Sequence, residues 1–204
     1  MKQQICILGS TGSIGTQALE VIRQHPDRYE AYALTANNHW ELLARQAHEF
    51  RPAAVVIANE AHYEKLKEAL RDEPDIKVYA GRDAVCQIVE ASPIAMVLTA
   101  MVGFSGLTPT IRAIRAGKKI CLANKETLVV AGELICRLAR EHKVPILPVD
   151  SEHSAIFQSL VGEDCNEISK ILLTCSGGPF RRFTHEQLLK VTAADALRHP
   201  TWDM

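Results

Sequence analysis

The chain has 204 residues, 47% of them hydrophobic and 23% charged, with a formal net charge of −1. Such proportions exclude a disordered chain and give no electrostatic reason to expect nucleic acid or an anionic membrane as partner. No apolar run reaches the roughly 18 to 20 residues of a membrane span and the first residues enter a strand instead of a signal peptide, while six cysteines without a Cys-x-x-Cys pair read as reduced thiols of a cytoplasmic protein.

The first element is an apolar strand ending at Leu8, followed by Gly9, Gly12 and Gly15 and then by a helical pattern from Gln17 onward. A strand that feeds a helix through a glycine-rich turn aims backbone N–H groups and the positive end of a helix dipole at one point, which suits a dinucleotide pyrophosphate. Gly9 would make the tight turn, Gly12 would let the phosphates approach the backbone, and Gly15 would let the helix pack on the strand. Glycine turns also close ordinary strand–helix junctions, but here the turn opens the chain and a second strand-like run, residues 32–36, follows at βαβ spacing. Asn37, Asn38 and His39 come next, with no carboxylate to repel a 2′-phosphate, so the loop favours NADP over NAD.

Strand-like runs continue over residues 53–57, 76–79, 94–98, 119–122 and 144–149, separated by helical patterns over 40–49, 60–72, 82–91, 106–116 and 125–142. The alternation predicts an α/β domain of Rossmann type over residues 1–149, a doubly wound and mostly parallel sheet with helices on both faces. Tyr63 and Lys67 match the Tyr-x-x-x-Lys spacing of short-chain dehydrogenases, yet they fall in a highly charged helix that reads as solvated surface.

Ligands of such sheets bind beyond the carboxyl ends of the strands. Lys125 lies just past one such end, where a helix start disfavours a cation; it either serves an anionic substrate or a developing oxyanion, or is an exposed charge paired with Glu126. Asp150 and Glu152 stand two apart at another end. In extended backbone they project from one face and offer hard oxygen ligands to Mg²⁺ or Mn²⁺; the other reading is a helix N-terminus, which also favours acidic residues.

From residue 150 the texture changes. A helical pattern over 154–160 precedes a strand-like run over 168–174 and a polar turn over 175–180, where Ser176 and two glycines offer a hydroxyl and amides to a phosphate. Thr184 and Gln187 fit a capping box, and His199 and Trp202 flank Pro200 near the end. Residues 150–204 read as the incomplete opening of a second, α+β domain.

Taken together, Gly9-Ser-Thr-Gly-Ser-Ile-Gly15, Met101-Val-Gly103, Leu122-Ala-Asn-Lys-Glu126, Pro148-Val-Asp-Ser-Glu-His-Ser-Ala-Ile-Phe-Gln158, Ser176-Gly-Gly-Pro-Phe180 and His199-Pro-Thr-Trp202 resemble the 1-deoxy-D-xylulose 5-phosphate reductoisomerase family. The likeness runs from Met1 to Met204, and its most specific part is the stretch from Asp150 to Gln158. It implies an NADPH- and Mg²⁺- or Mn²⁺-dependent homodimer that converts 1-deoxy-D-xylulose 5-phosphate into 2-C-methyl-D-erythritol 4-phosphate, the committed step of non-mevalonate isoprenoid biosynthesis. In the chemistry so implied, the metal chelates the substrate's ketone and neighbouring hydroxyl and NADPH reduces the aldehyde that a carbon–carbon rearrangement produces.

Carried over by residue, the resemblance implies cofactor contacts from Thr11, Gly12, Ser13 and Ile14, from Asn37, Asn38 and His39, and from Asn124 and Glu126. It implies substrate contacts from Lys125, Ser151, Glu152, Ser176 and His199, a metal held by Asp150 and Glu152, catalytic roles for Lys125, Asp150 and Glu152, and a lid that includes Trp202. Two departures stand out: the family often has Gly and a basic residue where Asn37 and Asn38 stand, and its chains continue past residue 204 with a third acidic metal ligand and much of the phosphate site. Two other readings compete. One is an inactive NADPH-binding fragment or regulatory module; the other is a different NADP-dependent dehydrogenase, which rests on the glycine turn and leaves the Asp150 cluster unexplained.

Overall fold

Along the first strand Cys6 and Leu8 face one way and Ile7 the other, and the same alternation divides the whole sheet. The structure, a computed structural model, describes residues 2–163, 165–173 and 178–198. Strands β1 (Gln3–Leu8), β2 (Tyr29–Ala36), β3 (Ala54–Ile57), β4 (Lys77–Ala80), β5 (Met96–Thr99), β6 (Lys119–Leu122) and β7 (Ile146–Pro148) form one sheet in the order β4-β3-β2-β1-β5-β6-β7. Every neighbouring pair is parallel, so the mostly parallel sheet expected from the βα alternation is a fully parallel one.

Helices α1 (Ser13–Gln24), α2 (Trp40–Phe50) and α3 (Tyr63–Ala69) cover one face, where Leu19, Ile22, Leu43, Ala47 and Leu66 pack on Ile7, Leu34, Val55, Ile57 and Leu98. Helices α4 (Arg82–Ile88), α5 (Leu107–Arg115) and α6 (Glu126–Glu141) cover the other, where Val85, Ile114, Ile135 and Leu138 meet Cys6, Leu8, Val56, Val97 and Ile120. Each such aliphatic side chain contributes about 1.5–3 kcal/mol by leaving water. Burial also pushes the Cys6 thiol up to about 12 and the Cys121 thiol up to about 11, so both stay protonated at neutral pH and act as packing groups.

Chain order decides where ligands can bind. The chain runs outward from β1 to β4 and then returns to lay β5 on the opposite side of β1, so strand order reverses between β1 and β5. At that reversal the loops after the two strands diverge to opposite faces and leave a crevice.

The chain folds as two compact units, residues 1–154 and 155–204. The later residues include α8 (His185–Leu188) and α9 (Ala193–Ala196), following α7 (Ser151–Ser159). The capping box expected at Thr184 is present: Thr184 N–H donates to Gln187 Oε1 at 2.8 Å, and Gln187 N–H to Thr184 Oγ1 at 3.4 Å. The strand expected over 168–174 is not formed at residues 168–173, and residue 174 lies outside the described residues. Ile168, Ile171, Leu172 and Leu173 are all more than half exposed, and an apolar run becomes a strand only beside a partner that takes its N–H and C=O groups. Among the described residues no helix is long and apolar enough to cross a membrane.

Candidate active site

Four consecutive strands of the sheet, β1, β5, β6 and β7, end side by side, and each end carries residues singled out from sequence. At β1 the backbone turns at Gly9 with φ +84°, a conformation that side chains disfavour, and a Cβ there would lie 2.8 Å from Ala100 O at the end of β5. At Gly15 a Cβ would lie 2.3 Å from Gly9 O and 2.6 Å from Ser10 Cα, so only glycine lets α1 approach the turn. Gly12 is different. It has φ −81° and ψ 173°, open to any residue, and a Cβ there would come no closer than 3.4 Å to Gly9 O. Among the described residues no packing contact asks for glycine at position 12; its place at the N-cap of α1 favours it mildly, and the space beside it is open to a ligand.

The same turn leaves a donor set unspent. Gly12 N–H closes onto Gly9 O at 3.1 Å, the first bond along α1 is Thr16 N–H to Gly12 O at 2.9 Å, and no side chain caps the helix. The N–H groups of the first turn, at Ser13 and Ile14, therefore face outward at the positive helix end, with no acidic residue in that turn. Gly12, Ser13 and Ile14 are exposed and Thr11 half-buried, so the residues present fit a pyrophosphate.

After β2, Asn37, Asn38 and His39 are exposed. Asn59 Nδ2 donates to Asn38 Oδ1 at 2.8 Å and Asn59 N–H to Asn37 O at 3.1 Å, which ties this loop to the one after β3. An open cavity of about 600 Å³ begins there and runs to Gly81, Arg82 and Asp83 beyond β4.

β6 and β7 are neighbours in register, Leu122 opposite Pro148, with Val149 N–H bonded to Leu122 O at 3.0 Å. That pairing sets the residues after the two strands next to each other. Lys125 is exposed and makes no ion pair among the described residues, so the expected alternative of a Lys125–Glu126 pair is not formed. Its charge reaches Asp150. Burial alone would push the Asp150 carboxyl up, but hydrogen bonds from His153 and the charges of His153 and Lys125 outweigh it and hold the carboxyl below the ordinary range.

Of the two readings of Asp150 and Glu152, the helix N-terminus is formed and the extended pair is not. Asp150 is not part of an extended pair; it caps α7, whose first residue is Ser151. Asp150 Oδ1 accepts from His153 N–H at 3.0 Å, and both carboxylate oxygens lie 2.8–2.9 Å from His153 Nδ1. Glu152 stands half-buried and Ser151 exposed in the first helical turn. A carboxylate at a helix start satisfies an orphan N–H and the dipole, which is why this stretch coils sooner than its strand-like flank suggested. The donor chemistry still suits a hard cation, but two carboxylates are fewer than such an ion requires, and no cluster of three His, Cys, Asp or Glu is found among the described residues. Ser176, His199 and Trp202 lie outside the described residues.

Residues 5–132 match the family model for 1-deoxy-D-xylulose 5-phosphate reductoisomerase, and residues 146–204 match the model for the C-terminal domain of that enzyme. The chain belongs to the 1-deoxy-D-xylulose 5-phosphate reductoisomerase family. It is 70% identical over 203 residues to the reductoisomerase of Bacteroides thetaiotaomicron, covering 100% of this chain and 52% of the relative. A solved reductoisomerase from Zymomonas mobilis in complex with NADPH superposes with a TM-score of 0.86 at 40% identity, over 94% of this chain and 50% of that one. A reductoisomerase in complex with NADPH, fosmidomycin and magnesium superposes with a TM-score of 0.84 at 37% identity, over 99% and 52%. The chain thus spans about half the length of the reductoisomerases it matches.

One residue implied as a cofactor contact is engaged elsewhere. Asn124 is 2% exposed; its Nδ2 donates to Met101 O at 2.5 Å and Gly103 O at 2.8 Å, and its Oδ1 accepts from Thr127 N–H at 2.9 Å and Thr127 Oγ1 at 2.5 Å. The side chain caps α6 and holds the loop after β5. Asn124→Ala orphans buried donors and acceptors at once and is expected to cost about 2–3 kcal/mol, read from the shift of a urea unfolding curve. A shift no larger than that of an exposed Asn→Ala control would refute the brace. Sequence reasoning passed over three polar residues that hold the glycine turn, Ser10, Thr35 and Gln46, all nearly inaccessible to solvent. Polar residues within otherwise apolar helix and strand faces were the signal for them.

Proposed function

We propose that this chain is the NADPH-binding portion, with the first catalytic residues, of a reductoisomerase that converts 1-deoxy-D-xylulose 5-phosphate into 2-C-methyl-D-erythritol 4-phosphate in isoprenoid biosynthesis. The observation that carries the reading is the uncapped glycine turn on β1 in one row with Lys125 after β6 and Asp150 after β7. Relatives solved with NADPH, magnesium and fosmidomycin support it. The bound groups supply a hydride and a Lewis acid, respectively NADPH and Mg²⁺ or Mn²⁺.

The chain's own residues bind and orient. Ser13 and Ile14 hold the pyrophosphate through first-turn amides with Thr11 and Gly12 beside it, and Asn37, Asn38 and His39 border the adenosine ribose. Glu126 and the backbone around Asn124 border the nicotinamide. Lys125, Ser151, Glu152, Ser176 and His199 orient the sugar phosphate, and Asp150 and Glu152 hold the cation. The full-length protein acts as a cytoplasmic homodimer in this reading, with 150–204 as the opening of its catalytic domain.

The missing basic residue at the ribose has a substitute in reach. Among the described residues Arg82 is the one cation lining the cavity that starts at Asn37 and Asn38, it is exposed, and it makes no ion pair. Glu60 and Asp83 line the same cavity, so removing Arg82 leaves only negative charge facing a 2′-phosphate. Arg82→Ala is expected to raise the Kd for NADPH about tenfold with little change for NADH, by the ordinary strength of one charge-assisted contact. Equal shifts for the two cofactors in a fluorescence titration would remove Arg82 from the specificity argument.

The test of the function is a titration of the 204-residue chain with NADPH followed by an assay of NADPH oxidation with 1-deoxy-D-xylulose 5-phosphate and Mn²⁺. Binding without turnover is the expected result, with turnover appearing in a protein of the relatives' full length. Failure to bind NADPH would overturn the reading.

A further inference from the structure

We propose that Gln46, buried on α2 beneath the glycine turn, is the positioning residue that sets the aim of the pyrophosphate-binding turn. The inference rests on the NADPH-binding reading above. Gln46 sits mid-way along α2, 6% exposed, and grips Ser10 twice: Gln46 Nε2 donates to Ser10 O at 2.9 Å, and Ser10 Oγ donates to Gln46 Oε1 at 2.7 Å. Ser10 itself is fully buried.

The remaining polar groups of the turn are tied to the end of β2. Ser10 N–H donates to Thr35 O at 2.8 Å and Gly9 N–H to Thr35 Oγ1 at 3.0 Å, and Ser10 Oγ also lies 3.2 Å from Thr35 O. Thr35 thus takes the inward N–H groups, Gly12 N–H goes to Gly9 O, and the donors left for an anion are those at the start of α1. The N–H and C=O of Ser10 belong to two successive peptides: Thr35 holds the one before Ser10, and among the described residues Gln46 alone holds the carbonyl of the one after it.

Without that second hold, the peptide after Ser10 can rotate about a turn that contains two glycines, and the first-turn amides lose their common aim. Hydrogen bonds to an anion are strong only when the donors are arranged beforehand, so loss of the clamp appears as lost affinity for the pyrophosphate and not for the rest of the cofactor. The clamp also has a sequence logic: α2 begins directly after the loop 37–39, so one helix carries both the ribose loop and the hold on the phosphate turn.

The experiment compares two ligands on the 204-residue chain by titration calorimetry, NADPH and adenosine 2′-monophosphate, which lacks the pyrophosphate. In Gln46→Leu the Kd for NADPH is expected to rise about tenfold while that for adenosine 2′-monophosphate stays within about twofold. Equal losses for both ligands would make Gln46 general support of the fold and overturn the inference, as would unchanged NADPH affinity. Should Gln46→Leu fail to fold, Ser10→Ala carries the same test, because it removes the 2.7 Å bond and keeps the bond from Gln46 Nε2 to Ser10 O. Its expected NADPH shift is about threefold with the same selectivity, and no selective shift overturns the inference. If the unsubstituted chain binds adenosine 2′-monophosphate and NADPH equally weakly, the NADPH reading fails instead.

Discussion

A Gly15→Ala chain is expected to bind no NADPH and to unfold at a much lower denaturant concentration. The added Cβ would lie 2.3 Å from Gly9 O, 2.6 Å from Ser10 Cα and 2.7 Å from Ser10 C. All three are backbone atoms of a turn that is itself bonded to Thr35 and Gln46, so no side-chain rotation relieves the contact. Relief requires α1 to lift from the sheet, which pulls Leu19 and Ile22 from their packing on Ile7 and Leu34. Overpacking of this kind costs about 1–3 kcal/mol where neighbours can yield, and a clash with backbone belongs at or above the top of that range.

Gly12→Ala is the contrasting variant. Its Cβ has room and its φ suits alanine, so stability should fall by about 1 kcal/mol or less, the cost of a poorer helix start. The methyl group would stand where the pyrophosphate approaches, and NADPH affinity should collapse. Unfolding curves and NADPH titrations on both variants decide the matter. A stable Gly15→Ala chain would contradict the packing argument, and a Gly12→Ala chain with normal affinity would contradict the cofactor argument.

How much of this was legible in sequence follows from which residues act alone. The central strands announced themselves because residues buried on both faces must be apolar throughout, as at Val55, Val56 and Ile57, and Gly9 and Gly15 announced the turn because a side chain at either would meet backbone. Residues that act through partners were hidden. Gln46 shows as a polar residue on the apolar face of α2, but its role is invisible until Ser10, 36 residues away, is seen against it. Asn124 is named in the sequence only through the resemblance, as a cofactor contact, and its four hydrogen bonds to residues 101, 103 and 127 have no signature in the sequence around it. Asp150 carries two readings in the sequence, an extended pair with Glu152 suggested by its apolar flank and a helix N-terminus, and its i+3 bond to His153 selects the helix.

That double character of Asp150 makes it the most informative site for substitution. Asp150→Asn keeps an oxygen to accept His153 N–H and so keeps the cap of α7, but it removes the charge that a divalent cation needs. Asp150→Ala removes both. If the carboxylate serves only as a cap, Asn should behave like the native residue and Ala should lose about 1 kcal/mol of stability with no other effect. If it also holds the cation, the two variants should part company in stability yet agree in function: made in a protein of the relatives' full length, neither should bind Mn²⁺ measurably, while both retain NADPH affinity. In a protein of the relatives' full length each should reduce turnover by about a thousandfold, the scale of losing several kcal/mol of charge stabilisation from a metal. Mn²⁺ binding followed by paramagnetic resonance, beside thermal melts, separates the two cases; native Mn²⁺ affinity in Asp150→Asn would return Asp150 to the role of helix cap and leave the cation to other ligands.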